Sequence, residues 1–225
     1  RRFMNFAIVV SNKDSAGMNI AKQLQAMTNF PAKIGVNDVE LIIHDKAITE
    51  FEEVNADVAI FASRHVSKAG VHSLSVHSIG NWAEILEGGR EKTLVKCPAG
   101  LMKNCLKLLD EKAEGYEVIQ EATHHGPYLD IPTMFIEIGS DEARWKDEKA
   151  GKVVAEVIIE SIGSYQDVKT VVGVGGVHHC PNFRKIMLSS DLAVSYVCPK
   201  HMLEHLNENV LRQAIEKSKA ESVVL

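Results

Sequence analysis

The stretch Glu117-Val118-Ile119-Gln120-Glu121-Ala122-Thr123-His124-His125-Gly126-Pro127 carries the reading on which the fold turns. A short apolar run of strand length passes into a pair of histidines. Pro127, with no amide hydrogen to give to a ladder, then stops the strand. The same form recurs where Val171 to Gly176 leads into Val177-His178-His179-Cys180-Pro181. Both histidine pairs are therefore expected at carboxyl ends of strands, outside which the ligand crevice of an open α/β sheet forms. Adjacent side chains of an extended segment point to opposite faces, so one histidine of each pair should reach that crevice.

Outward from these two stretches, strand-length segments alternate with amphipathic ones of helix length, the pattern of helices packed on a mostly parallel sheet. Strands are expected over Phe3–Val10, Val39–Ile43, Val58–Ala62, Val71–Val76, Glu117–Ala122, Thr133–Ile138, Thr170–Val174 and Leu192–Val197. Helices are expected over Ala16–Met27, Gly100–Glu114, Asp141–Ile162 and His201–Lys217. The third helix has the plainest signature. Ser140 and Asp141 offer a cap, Val153, Val154, Val157, Ile158 and Ile162 form one stripe, and Gly163 ends it. With 225 residues and neither a repeat nor a low-complexity linker, residues 1–225 are expected to form one α/β domain.

Composition narrows the class. Hydrophobic residues at 45% and charged residues at 24% are ordinary for a soluble globular protein. No apolar run approaches the roughly 20 residues that span a bilayer, and no signal-peptide region is visible, so a cytoplasmic protein with no membrane partner is expected. Cys97, Cys105, Cys180 and Cys198 contain no Cys-x-x-Cys pair, which argues against a disulfide framework and a cysteine-built zinc knuckle. The net charge of -5 gives no overall attraction to phosphate, so a nucleic-acid role requires a local basic face. Arg1 and Arg2, ahead of Met4, are given no role.

Ten histidines are present, and their placement points to chemistry. Imidazole is the commonest zinc ligand and the natural proton carrier near neutral pH, and Glu121 sets a carboxylate beside the first pair. His65 falls just past a strand in Ser63-Arg64-His65, and His77 precedes Gly80 and Asn81, where a turn is expected to expose it. For both, a site role and a hydrogen bond to loop carbonyls stand open. His72 is expected on the strand surface, and His44, His201 and His205 are expected to be incidental. Gly173-Val174-Gly175-Gly176 either presents amides to a phosphate or oxyanion or simply makes the turn that ends its strand. It lacks the Gly-x-Gly-x-x-Gly spacing and a Walker-type lysine, which disfavours nucleotide-cofactor enzymes. No Gly-x-Ser-x-Gly elbow supports a serine nucleophile, and Cys180 reads as a small buried thiol.

Taken in order, several segments resemble the D-aminoacyl-tRNA deacylase family of archaea and plants, nearly end to end. They are Ser11-Asn12-Lys13-Asp14-Ser15-Ala16-Gly17-Met18-Asn19-Ile20; Ser63-Arg64-His65 with Gly70; His77-Ser78-Ile79-Gly80-Asn81; Glu121 to Pro127; Ile138-Gly139-Ser140 with Trp145; and Gly175-Gly176-Val177-His178 with Pro181. Two positions depart from the pattern: Tyr128 stands where a small hydroxyl residue is usual, and His179-Cys180 where an aromatic and a small residue are usual. The resemblance implies a phosphorylase/hydrolase-like three-layer α/β/α fold and monomeric behaviour. It also implies zinc as cofactor, with two ions per subunit, and hydrolysis of the ester joining a D-amino acid to the terminal ribose of tRNA. On this reading zinc is held among His65, His77, His124 and His178, with His125 a further candidate. Glu121, His124, His125 and His178 carry the acid–base work. Lys13, Arg64 and Asn81 contact the substrate, and amides of Gly175 and Gly176 hold the oxyanion. The rival readings are a zinc-dependent aminopeptidase or amidase, and a non-catalytic protein that binds tRNA or buffers zinc.

Overall fold

A computed structural model describes residues 3–85 and 87–225. Arg1 and Arg2 lie outside the described residues. The first half of the chain forms β1 (Asn5–Ser11), α1 (Ser15–Met27), β2 (Ala32–Ile34), β3 (Asn37–His44), β4 (Val58–Val66), β5 (Ser73–Ser78), β6 (Gly80–Asn81), β7 (Thr93–Leu94) and α2 (Ala99–Lys112). The second half forms β8 (Glu117–Gln120), β9 (Thr133–Ser140), α3 (Glu142–Trp145), α4 (Glu148–Ser164), β10 (Thr170–Val174), α5 (Pro181–Ser189), β11 (Ala193–Cys198), α6 (Glu208–Ser218) and β12 (Ser222–Val224). The α/β class expected from the sequence stands, with a mixed main sheet.

That sheet has seven strands in the order β2-β3-β1-β4-β9-β5-β8. β3, β1, β4 and β9 are mutually parallel, whereas β5 runs antiparallel to β9, and β8 runs parallel to β5. A smaller parallel sheet, β11-β10-β12, abuts the β8 edge. There the amide of Ala122 donates to the carbonyl of His178 (2.7 Å) and that of Thr123 to Val197 (3.1 Å). One hydrophobic cluster joins the two sheets, since Leu74 and Val76 belong to it together with Val172, Val194 and Tyr196.

The period-2 alternation of the strands gives the main sheet two different faces. Phe6, Ile8, Val10, Ile60, Ala62, Ile136 and Ile138 face α1, α2 and α4. On the opposite face Ala7, Val9, Ala59, Phe61 and Phe135 are covered by loop residues such as Ile48, Phe51, Val54 and Ile131. Further along the same strands that face turns polar, through Ser63, His65, Ser75, His77 and Glu137. Five of these buried polar groups in one patch are costly unless paired or ligated, which marks the patch before any function is considered.

The close seat of α1 on β4 depends on Gly17, where an added Cβ would lie 2.8 Å from the carbonyl oxygen of Ala62. Gly17→Ala is therefore expected to destabilise the protein by about 1–3 kcal/mol, the usual cost of overpacking. A fall in the urea midpoint at unchanged m-value checks it, and an unchanged midpoint contradicts the packing argument.

Three expectations are corrected. The helix expected over Asp141–Ile162 breaks at Lys146 and Asp147: the Asn19 side-chain amide takes the carbonyls of Trp145 (3.0 Å) and Asp147 (2.8 Å), and the Asp147 carboxylate caps α4 at the Lys149 amide. The helix expected from His201 begins only at Glu208, because Asn207 caps it at Val210; the preceding Lys200–His205 is a 3-10 turn. The strand expected over Val71–Val76 runs two residues later, which places His77 inside β5 and fully buried rather than exposed in a turn. The short α5, with Pro181 in its first turn, and β2 and β12 were not expected. No described helix is long and apolar enough to cross a membrane.

Candidate active site

Ser63, His65 and Glu137 of the polar patch form the floor of a cavity of about 330 Å³ also lined by Ser11, Lys13, Asp14, Arg64, Glu87, His124, His125 and His178, with Ile48 and Phe135 among its apolar walls; Ser75 and His77 lie behind that floor. Opposed strand directions bring its groups together. His65 arrives from the carboxyl end of β4, and its register partner on β9 is Gly139. His77 arrives along β5 from the other direction, in register with Phe135. Glu121, just past β8, is one step beyond the Val76↔Gln120 pair. The two sets meet over Glu137, in the middle of β9. The crevice thus lies on the face of the sheet and opens, as the sequence led one to expect, past the carboxyl ends of β1, β3 and β4, where Ser11, Lys13, Ala47, Ile48 and Val66 line it; antiparallel β5 and β8 bring His77 and Glu121 in from the other side.

His124 and His178, from separate strand ends, come together with ring centroids 4.7 Å apart. Of the 178–179 pair, only His178 lines the cavity, although the two lie in a turn beyond β10 and not in extended backbone. Both His124 and His125 line it, against the expectation of one histidine from each pair. The reason is that His125 has φ +44°, so the segment is not extended there and both rings turn inward.

The carboxylates organise the imidazoles. Glu121 Oε2 lies 3.1 Å from His178 Nε2, 3.2 Å from His65 Nδ1 and 3.8 Å from His124 Nε2. Glu137 Oε2 lies 3.7 Å from both His65 Nδ1 and His77 Nε2, while its Oε1 accepts the Ser63 hydroxyl at 2.6 Å. Trp145 fixes the end of β4 by donating its indole N–H to the His65 carbonyl (3.0 Å).

Burial works to lower the pKa of His65, but hydrogen bonding and charge from Glu121 and Glu137 outweigh it and raise the value to about 10. Burial opposes protonation of His77 in the same way, and Glu137 and Glu121 again prevail, raising it. The carboxyls of Glu121 and Glu137 would be pushed up by burial, yet their histidine neighbours hold both below the usual range. His124 and His125 lack that support. Burial, then the neighbouring His77, lowers His124 well below its ordinary value and His125 to about 4. The patch therefore holds two carboxylates and a pair of neutral imidazoles side by side.

Tautomers follow from the backbone. A carbonyl can only accept, so Nδ1 is the protonated nitrogen in three rings: His77 donates to Ser78 (3.1 Å), His124 to Ala122 (2.8 Å) and His125 to Gly126 (2.5 Å). His124 and His125, held neutral, keep Nε2 as a lone-pair donor, and His77 offers its Nε2 once the proton favoured by Glu137 is lost. Backbone carbonyls that fix the far nitrogen are the outer-shell arrangement of histidine metal ligands. Ligand atoms of His77, His124 and His125, of Glu121, His124 and His178, and of His65, Glu121 and Glu137 lie within 4.8 Å of one another in each set. His65 Nε2, His77 Nε2 and Glu121 Oε1 are buried without a hydrogen-bond partner. Such orphaned donors, all nitrogen and carboxylate oxygen, fit a zinc ion.

The remaining expected residues divide. Lys13 and Arg64 line the cavity, Arg64 above the Trp145 ring at 5.3 Å. Asn81 does not reach it; its side-chain amide holds the carbonyls of Gly88 (3.0 Å) and Arg90 (3.2 Å), fixing the loop that carries Glu87. Gly175 and Gly176 lie outside the lining, and the Gly175 amide is spent on the Cys198 carbonyl at 2.8 Å. The Cys180 thiol is buried, which pushes its pKa up to about 12 and makes it a poor nucleophile. Glu137 was missed; its only signal was one carboxylate inside the apolar run Thr133–Ile138.

Comparison with known proteins gives a consistent picture. A family model for D-aminoacyl-tRNA deacylase matches residues 52–225. The D-aminoacyl-tRNA deacylase of Thermococcus kodakarensis is 40% identical, over 94% of this chain and 86% of its own length. That of Archaeoglobus fulgidus is 34% identical, over 97% and 86%. A crystal structure of a conserved protein of unknown function superposes with a TM-score of 0.90 at 31% identity, covering 97% of this chain and 84% of its own.

Proposed function

Because the chain belongs to the D-aminoacyl-tRNA deacylase family, we propose that it hydrolyses the ester between a D-amino acid and the terminal ribose of tRNA, as a cytoplasmic zinc enzyme. The observation that carries this reading is the meeting of His65, His124, His125, Glu137 and His178 in the lining of one cavity, with Glu121 and His77 buried directly behind them within ligand distance. All these groups come from a single chain, so a monomer is complete.

Zinc held by His77, His124 and His125, with a second ion at Glu121, His124 and His178 or at His65, Glu121 and Glu137, would supply Lewis-acid polarisation of the ester carbonyl and acidify a water. The chain's own groups do the rest. Glu121 Oε1, buried and without a partner, is the acceptor for the proton of the attacking water. His178 Nε2, 3.1 Å from the other oxygen of the same carboxylate, passes a proton to the departing ribose oxygen, which leaves as the hydroxyl. Lys13 and Arg64 receive phosphate or carbonyl oxygens at the mouth. With the Gly175 amide already engaged, these cations replace it as the nearest positive contact. Asn81 serves by holding the 87–90 loop in place. The apolar walls at Ile48 and Phe135 keep bulk water from the reacting groups.

Purified protein should cleave D-tyrosyl-tRNA, leave L-tyrosyl-tRNA and peptides intact, and stop when treated with a chelator. Survival of the D-ester on metal-replete protein overturns the function. Release from peptides would favour the amidase reading instead, and a rate indifferent to chelation removes zinc alone.

A further inference from the structure

A chain of net charge -5 must hold a polyanion by a local face. The parallel strands β3, β1 and β4 are neighbours, so their carboxyl ends emerge along one edge of the sheet. Each is followed within a few residues by exposed cations: Lys46 after β3, Lys13 after β1, and Arg64 and Lys68 at the end of β4. None of these four side chains forms an ion pair among the described residues.

The edge is held in register. The Ser11 hydroxyl donates to the Lys46 carbonyl (2.6 Å), the Asn12 amide to the His44 carbonyl (2.8 Å), and the Arg64 amide to Asp14 Oδ2 (3.1 Å). Of the acidic groups nearby, Asp14 is buried, with its oxygens bonded to the amides of Gly17 and Arg64, while Asp45, Glu87 and, farther along the loop after β3, Glu50, Glu52 and Glu53 are exposed. The cavity opens along this edge: Lys13, Ala47, Ile48, Arg64 and Val66 are in its lining, Lys46 directly precedes Ala47, and Lys68 is two residues beyond Val66. A scissile ester seated on the cavity floor must lead its macromolecular remainder out past these residues.

We propose that the edge made by the carboxyl ends of β3, β1 and β4 is the track for the phosphates of the acceptor stem, with Lys46 and Lys68 extending the contacts of Lys13 and Arg64 away from the cavity. This rests on the deacylase reading and adds where the RNA lies. It predicts that recognition of the stem is by backbone charge and carries a salt dependence set by these lysines.

The test uses the Lys46→Ala/Lys68→Ala double variant and, as a control of equal charge, Lys107→Ala/Lys185→Ala, on α2 and α5 near the β8 end of the sheet. Hydrolysis of D-tyrosyl-tRNA and of D-tyrosyl-adenosine, which has no stem, is followed from low to moderate salt. For the edge variant the preference for tRNA over the adenosine ester should fall at least tenfold. The slope of log kcat/KM for tRNA against log salt should flatten by about 1.4–1.8, the loss of two phosphate contacts. The control should keep the wild-type preference and slope. Equal behaviour of edge and control variants overturns the track. Failure of the wild type on both substrates overturns the deacylase reading itself.

Discussion

Glu121→Gln lowers kcat for D-tyrosyl-tRNA hydrolysis by about 10²–10⁴-fold, the range that positioned acid–base groups supply, while the fold survives. The expectation follows from the place of this carboxylate. One oxygen stands within 3.8 Å of three imidazoles, His178, His65 and His124, and the other is buried and free. Glutamine keeps the volume, so the packing of the β8 edge is preserved. It removes the charge that holds a proton on His65 and presents an amide that cannot take a proton from water. A residue acting only as a spacer would tolerate the change. Single-turnover rates with D-tyrosyl-tRNA, circular dichroism and metal content measured on the same preparation decide the matter. A rate within threefold of wild type would sink the assignment, whereas lost metal with an unchanged spectrum would identify Glu121 as a ligand in addition.

What the sequence revealed, and what it hid, divides along a physical line. Where a short apolar run marks its own strand, the reading held: β8 and β10 lie where the sequence put them, and His124 and His178, in the segments that follow, are found side by side, although each strand ends well before its proline. Where an outcome depends on partners remote in sequence, it did not. Strand direction is a property of the connection and not of the strand, so antiparallel β5 and β8, which carry the site onto the sheet face, left no local mark. Asn19, 126 residues from Trp145, breaks the helix that an unbroken apolar stripe foretold. Alternation applies only to extended backbone, so the left-handed turn at His125 brings in a ring that the rule would have sent away. Glu137 was hidden differently: a single carboxylate in a β-branched run is uninformative until Ser63, His65 and His77 are seen around it.

Zinc is expected to stabilise the chelated protein more at pH 8.5 than at pH 6, through competition between the metal and protons for the same nitrogens. In the metal-free state His65 has a folded pKa raised from 6.5 to about 10. A raised folded value means that its pairing with Glu121 and Glu137 adds stability in full below about pH 6.5 and loses it as pH climbs toward 10. His77, also raised, adds in the same direction. His124 and His125 are lowered and stay neutral at both pH values, so they offer lone pairs without displacing a proton. Ligation by His65 or His77 must expel protons, which costs most at pH 6 and least where the metal-free pairing is already weakening. With zinc at 1,000 times its Kd the gain is about 4 kcal/mol, roughly 8–16 °C in Tm for a chain of this size, and the gain shrinks on acidification. Calorimetric scans of chelated and reloaded protein at the two pH values measure it directly. A zinc-induced rise in Tm that is the same at both, or larger at pH 6, would mean that the buried carboxylate–imidazole pairs and the metal do not share ligands.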